Sequence, residues 1–160
     1  MIAIGEVAPG FELPGVDGRT GELGAWSLES FRGRPVVVLF YPGDSSPVCR
    51  RQLTEYTEGI AGFEALDAQV LAVSHQDPES HRRFAQRSGG FGFPLLTDAD
   101  KAVGRTWGVL GLLDLYRRCT FVLDPGGVVR YSHRYVGPGL GYRPAAELVD
   151  VVAGLGDSAP

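Results

Sequence analysis

The chain has 160 residues, 44% of them hydrophobic and 21% charged, enough to bury one substantial core, so a single soluble domain over residues 1–160 is expected. A net charge of -4 with no basic stripe argues against nucleic acid or an anionic membrane as partner. The longest apolar run, residues 36–40, is far short of the ~20 needed to span a bilayer, and the N-terminus lacks the basic and apolar blocks of a secretory leader, so a cytoplasmic location is expected.

Residues 1–25 are rich in Gly and Pro, and turn signals at Pro14-Gly15 and Asp17-Gly18 predict a hairpin-like preface with short strands over 11–13 and 21–23. A helical turn is expected at Leu28–Phe31. The run 35–41, with β-branched and aromatic residues and no polar alternation, suits a strand buried on both faces. Pro42 ends it. A helix follows, with Leu53, Tyr56, Ile60 and Phe63 on one face; Gly59 and Gly62 weaken it by about 1 kcal/mol each relative to Ala, which allows a local irregularity. Gln69–Ser74 predicts a second buried strand. Asp77-Pro78-Glu79 opens a helix to about Arg87, stopped by Gly89-Gly90. Residues 93–96 read as a short strand, 98–107 as a short helix, 119–123 and 128–135 as a hairpin about the turn 124–127, and 145–154 as a terminal helix. This order of elements is that of an α/β fold, a thioredoxin-like three-layer sandwich with a central mixed β-sheet and an N-terminal β extension.

The chain has only two cysteines, Cys49 and Cys119. They are too few for a disulfide framework, and neither sits in a CxxC pair. His75, His81 and His133 show no ligand spacing, so neither a metal nor another cofactor is expected. His75 and His81 read as surface and helix residues.

The segment Pro42-Gly-Asp-Ser-Ser-Pro-Val-Cys49 carries more information. Ser46 is a good N-cap, and Pro47 suits the first helical position, where its missing N–H costs nothing. Cys49 then stands third in the helix, inside the turn toward which unpaired N–H groups and the positive end of the helix dipole point. A sulfur there is a better anion than a free thiol. Arg50 and Arg51 oppose the dipole slightly while deepening the positive potential at the sulfur. The plainer reading of Cys49 is a small buried hydrophobe; its place after a buried strand, at a capped helix start and among arginines, favours a nucleophile.

The stretch from Phe40 to Leu53 resembles the peroxiredoxin active-site loop, in which Pro, three residues, Thr or Ser, and two residues precede Cys. Pro42, Ser46 and Cys49 match it. The opening Gly5-Glu-Val-Ala-Pro-Gly-Phe-Glu-Leu-Pro14, the middle motifs Val73-Ser-His-Gln-Asp-Pro-Glu-Ser-His81 and Phe93-Pro-Leu-Leu-Thr-Asp98, and Arg118-Cys-Thr-Phe-Val-Leu-Asp124 are similar to that family in the right order. The nearest group is peroxiredoxin Q (bacterioferritin-comigratory) and its one-cysteine relatives. The resemblance implies a thiol-dependent peroxidase reducing hydrogen peroxide and organic hydroperoxides. In it Cys49 is the nucleophile that becomes a sulfenic acid. Ser46 places its hydroxyl against peroxide or sulfur, and Pro42 shields the sulfur from water. Arg118 supports the thiolate and the polarised O–O bond, with Gln52 orienting the arginine. Arg117 is the alternative, since strand alternation lets only one of the two face the sulfur.

The pattern also departs from the family. Thr54 stands where many peroxiredoxin Q members carry a resolving cysteine, and Arg50 where the family usually has Thr. Alternation that turns Arg118 toward Cys49 turns Cys119 away. A one-cysteine mechanism with an external thiol or thioredoxin-like reductant is therefore expected. A two-cysteine enzyme resolved by Cys119, a disulfide reductase and a redox-inactive binding or holdase scaffold remain as alternatives. A monomer and a homodimer are both compatible with the sequence.

Overall fold

A computed structural model describes residues 1–135 and 141–155; the rest of the expected domain lies outside the described residues. Its centre is β3 (Val36–Phe40), in which every residue is buried. β3 pairs in parallel with β4 (Gln69–Ser74) and antiparallel with β6 (Cys119–Leu123). β5 (Leu95–Thr97) continues the sheet from β4, followed by the antiparallel pair β1 (Glu12–Val16) and β2 (Leu23–Ser27). β7 (Val129–Arg134) closes the other edge, giving the order β2-β1-β5-β4-β3-β6-β7. The sheet is mixed, as expected, and the N-terminal hairpin extends it. The second strand of that hairpin starts two residues later and ends four residues later than the sequence suggests. The reason is the turn: Asp17 Oδ1 accepts from the N–H groups of Arg19 and Thr20, and its carbonyl accepts from Gly21, so residues 17–21 are used up in reversing the chain.

Helices cover both faces. On one lie α1 (Pro47–Glu58), α2 (Ile60–Glu64), α3 (Pro78–Arg87) and α5 (Ala145–Leu155), whose Leu53, Tyr56, Phe63, Phe84, Leu148 and Val152 meet Val37, Leu39 and Tyr41. On the other lie α4 (Ala102–Trp107), the 3-10 turn Leu28–Phe31 and the N-terminal segment, packed on Val36, Val38, Phe40 and Phe121. Both crossovers β3-α1-β4 and β4-α3-β5 run in one direction along the sheet, so the right-handed rule puts α1 and α3 on the same face. Each large apolar side chain buried here contributes about 1.5–3 kcal/mol relative to exposure.

Two irregularities have a packing cause. The helix expected to continue from Cys49 to Phe63 breaks at Gly59, whose φ of -90° and ψ of 7° end α1 before α2 begins. A Cβ at Gly59 would sit 3.1 Å from Ala145 Cβ, and one at Gly62 3.1 Å from Val149 Cγ2. The glycines that weaken the helix are those that let α5 approach it. The helix expected from residue 98 begins only at Ala102, because Asp98 is a side-chain acceptor. Its carboxylate takes the N–H groups of Val103 and Gly104 and the Tyr116 hydroxyl, while Lys101 adopts a left-handed conformation with φ of 60°.

Candidate active site

β3 ends at Phe40, Tyr41 follows buried, and Pro42 lies exposed at the start of a short loop. The loop closes as a turn, with Ser46 N–H donating to the Gly43 carbonyl at 3.4 Å. Ser46 has the extended backbone of an N-cap, and its Oγ accepts from Cys49 N–H at 3.3 Å. This is the predicted register: Pro47 is the first helical residue and Cys49 the third. One orphan N–H of the helix start is thereby capped. Because Ser46 Oγ serves as an acceptor, its own proton is free to be donated elsewhere.

Cys49 points inward and is fully buried, in the same cluster as Tyr41, Leu53 and Tyr56. Arg118, immediately before β6 and only 7% exposed, reaches across to it. Its Nη2 donates to Cys49 Sγ at 3.2 Å and its Nη1 to Gln52 Oε1 at 2.5 Å. Gln52 is one helical turn after Cys49, so both side chains leave α1 on one face. Gln52 is itself buried, and its Nε2 has no partner among the described residues. Arg117, the alternative, lies beside Gly111.

Among the described residues Arg118 forms no ion pair with a carboxylate; its partners are a neutral amide and a sulfur. A buried guanidinium without a counter-ion is costly. An anionic sulfur supplies that counter-ion, and the helix N-terminus acts on it in the same sense. Low local dielectric strengthens both effects relative to water. The arrangement therefore sets a guanidinium and a helix N-terminus beside one buried sulfur.

Cys119 is placed quite differently. It opens β6 opposite Phe40, with its side chain in the second cluster, among Trp107, Phe121 and Tyr116. The two free cysteines thus belong to opposite faces of the sheet. Burial pushes the Cys119 thiol up, against an opposing effect from Arg134, so its neutral form is favoured.

His81 lies on α3, as read from the sequence, with its side chain turned into the interior. It is fully buried and bonded to Asp44, a residue that nothing in the sequence singles out as functional. A polar residue two places before an N-cap was the only signal available. Among the described residues no group of three or more His, Cys, Asp or Glu is placed to hold a metal ion, and no helix is long and apolar enough to cross a membrane.

The chain is similar to known proteins in sequence and in three dimensions. The chain is 39% identical over 134 residues to the chloroplastic peroxiredoxin Q of Oryza sativa subsp. japonica, an alignment covering 82% of this chain and 59% of the rice protein. It thus spans about three fifths of that relative's length. In three dimensions it is similar to Enterococcus faecalis AhpC, with a TM-score of 0.88 and 27% identity, over 98% of this chain and 94% of that one. It is also similar to the Xanthomonas campestris bacterioferritin comigratory protein, with a TM-score of 0.73 and 28% identity over 92% of each. The thioredoxin-like architecture is thereby shown. Residues 4–132, which hold β1 to β6, the capped cysteine and its arginine, match the AhpC/TSA family, and the chain belongs to that family.

Proposed function

We propose that this chain is a thiol-dependent peroxidase that reduces hydrogen peroxide and organic hydroperoxides at Cys49. The observation that carries this reading is the contact of a buried guanidinium, held by Gln52 and without a carboxylate partner among the described residues, with the sulfur of a helix-start cysteine. The X. campestris protein has alkyl peroxide reduction activity, and family membership supports extending the chemistry here.

In this mechanism the Cys49 thiolate attacks one peroxide oxygen. The O–O bond breaks, the departing oxygen takes a proton and leaves as water or alcohol, and a sulfenic acid remains. Arg118 stabilises charge on the sulfur and on the departing oxygen, where fixed donors in a dry site act most strongly. Gln52 holds the guanidinium in place through Nη1. Ser46 donates a hydrogen bond from its hydroxyl to the peroxide while the departing oxygen takes its proton from solvent, and Pro42 flanks the sulfur. No cofactor takes part. One external thiol then attacks the sulfenic sulfur, releasing water and forming a mixed disulfide; a second thiol releases Cys49 and leaves as the oxidised disulfide. Either a small thiol or a thioredoxin-like protein can serve. The one-cysteine course is favoured by the placement of Cys119 across the sheet. We place the protein in the cytoplasm, where two unpaired thiols stay reduced.

The test is stopped-flow oxidation followed by mass spectrometry of both thiols after one equivalent of peroxide. Wild type should react far faster than free cysteine and yield a sulfenic acid at Cys49. Cys49→Ser should abolish consumption, and Cys119→Ser should preserve it. A Cys49 no faster than free cysteine would defeat the proposal, and an intramolecular disulfide would replace the one-cysteine course with the two-cysteine one.

A further inference from the structure

Asp44 occupies the turn between β3 and α1 and is 3% exposed. Its carboxylate and both its backbone groups are engaged. Oδ1 accepts from the Tyr41 hydroxyl at 2.7 Å, and Oδ2 from the Ser80 hydroxyl at 2.7 Å. His81 Nδ1 lies 3.1 Å and 2.9 Å from the two oxygens. The Asp44 N–H donates to Gln76 Oε1 at 2.7 Å, and its carbonyl accepts from Arg87 Nη2 at 2.5 Å. The other end of the imidazole is fixed too, with Nε2 3.0 Å from the Leu96 carbonyl. A carbonyl only accepts, so Nε2 carries a proton, while Nδ1 faces the carboxylate and, at 3.2 Å, the Tyr41 hydroxyl.

The electrostatics fit a permanent clamp. Burial alone would raise the Asp44 carboxyl, but hydrogen bonds and charge from His81, then Ser80 and Tyr41, outweigh it and hold the group below the usual carboxylate range. Tyr41 is pushed well up, first by burial and then by Asp44, so its hydroxyl stays a donor. The acceptor is ionised and its phenol neighbour is not.

We propose that Asp44 is a positioning residue for the reaction at Cys49, a role that rests on the peroxidase reading above. Asp44 is an inner residue of the turn that Ser46 closes onto Gly43, and Ser46 caps the Cys49 amide. Donors from the end of β3 and from α3, with an acceptor from the segment after β4, therefore fix where the capping serine stands. Among the described residues no hydrogen bond runs from this network to Cys49 Sγ or to Arg118, although Tyr41 shares the Cys49 cluster and its hydroxyl feels that sulfur's charge. The network sets the position of the Ser46 hydroxyl relative to the sulfur, so its loss acts on the peroxide geometry rather than on the sulfur's capacity to react.

Two reagents separate these effects. Iodoacetamide needs an accessible thiolate, whereas hydrogen peroxide also needs aligned donors. For the full chain carrying Asp44→Asn, oxidation of Cys49 by hydrogen peroxide should slow by about a hundredfold, the scale of a misplaced reacting group, with alkylation changed by less than about twofold. Should Asp44→Asn fail to fold, the double variant Ser80→Ala, Arg87→Gln removes two outer tethers and leaves the buried pair intact. Its peroxide rate should fall about tenfold with the same unchanged alkylation. Peroxide and alkylation rates that fall together, or a peroxide rate that does not fall, would overturn the role. Failure of the peroxidase reading itself shows separately, as a wild-type Cys49 no faster with peroxide than free cysteine.

Discussion

Arg118 and Cys49 meet across the gap between a strand start and a helix start, with Nη2 donating to Sγ at 3.2 Å. The same guanidinium is held at its other nitrogen by Gln52. Replacing it with Lys keeps the charge but not the paired donors at fixed angles. Arg118→Lys is expected to slow peroxide oxidation of Cys49 by about a hundred- to a thousandfold, the range for losing one aligned transition-state donor. Stopped-flow rates against hydrogen peroxide check this. A loss below about threefold would mean that the contact does not reach the transition state.

Gln52→Leu tests the arginine's support. The variant keeps the volume of the buried side chain but leaves Nη1 without its acceptor. The peroxide rate should fall by about tenfold while Arg118 still reaches the sulfur, and the variant should lose about 1–3 kcal/mol because a buried donor is left unsatisfied. Urea unfolding read beside the rate measures both.

Ser46→Ala removes the cap at the Cys49 amide. Helix caps of this kind contribute about 1 kcal/mol. The denaturant midpoint should fall accordingly, and Ser46→Gly should recover most of the stability without recovering the peroxide rate. Recovery of both by Gly would show that the hydroxyl acts only as a cap.

Cys119 should resist alkylation in the native protein. Its folded thiol is raised by burial, so ionisation is easier in the unfolded chain. The stability linked to it is fully present below the unfolded value near ~8.5 and is lost as pH rises through the higher folded value. Mass spectrometry at about pH 8, just below that unfolded value, should find iodoacetamide on Cys49 first, and on Cys119 only when urea unfolds the chain. Modification of Cys119 at an equal rate in native buffer would contradict its placement.

Asp124 gives the opposite sign. Burial acts to raise its carboxyl, but the Val128 amide, Arg130 and the Gly126 amide together hold it below the usual range. Its contribution is present above the unfolded value near ~3.9 and fades as pH falls through the lower folded value. Asp124→Asn should therefore be less stable than wild type near neutral pH, with the gap closing as the pH drops toward about 3. A gap independent of pH would remove the charge from the explanation.

The sequence displays some of this architecture plainly. The unbroken apolar run through β3 and the Ser46-Pro47 start of α1 are local signals, and local chemistry decides them. Alternation left Arg117 and Arg118 as alternatives, since neighbouring side chains on a strand must part, and the family resemblance chose Arg118. The Asp44–His81 contact was hidden because it joins residues 37 positions apart, and nothing in the spacing of an aspartate and a histidine announces burial. The late start of α4 was hidden for a related reason: Asp98 bonds to the amides of Val103 and Gly104 and to Tyr116, a demand set by tertiary contacts. The break at Gly59 could be suspected from composition, but its purpose, admitting Ala145 as Gly62 admits Val149, depends on a distant helix.

The seven-stranded sheet stands as a wall between the chain's two sulfurs. In this conformation an oxidised Cys49 finds no thiol of its own molecule on its side. Under the one-cysteine course proposed above, restoring it then draws on electrons from outside the molecule. On that proposal, turnover is expected to be governed by the supply of reducing thiol around the protein.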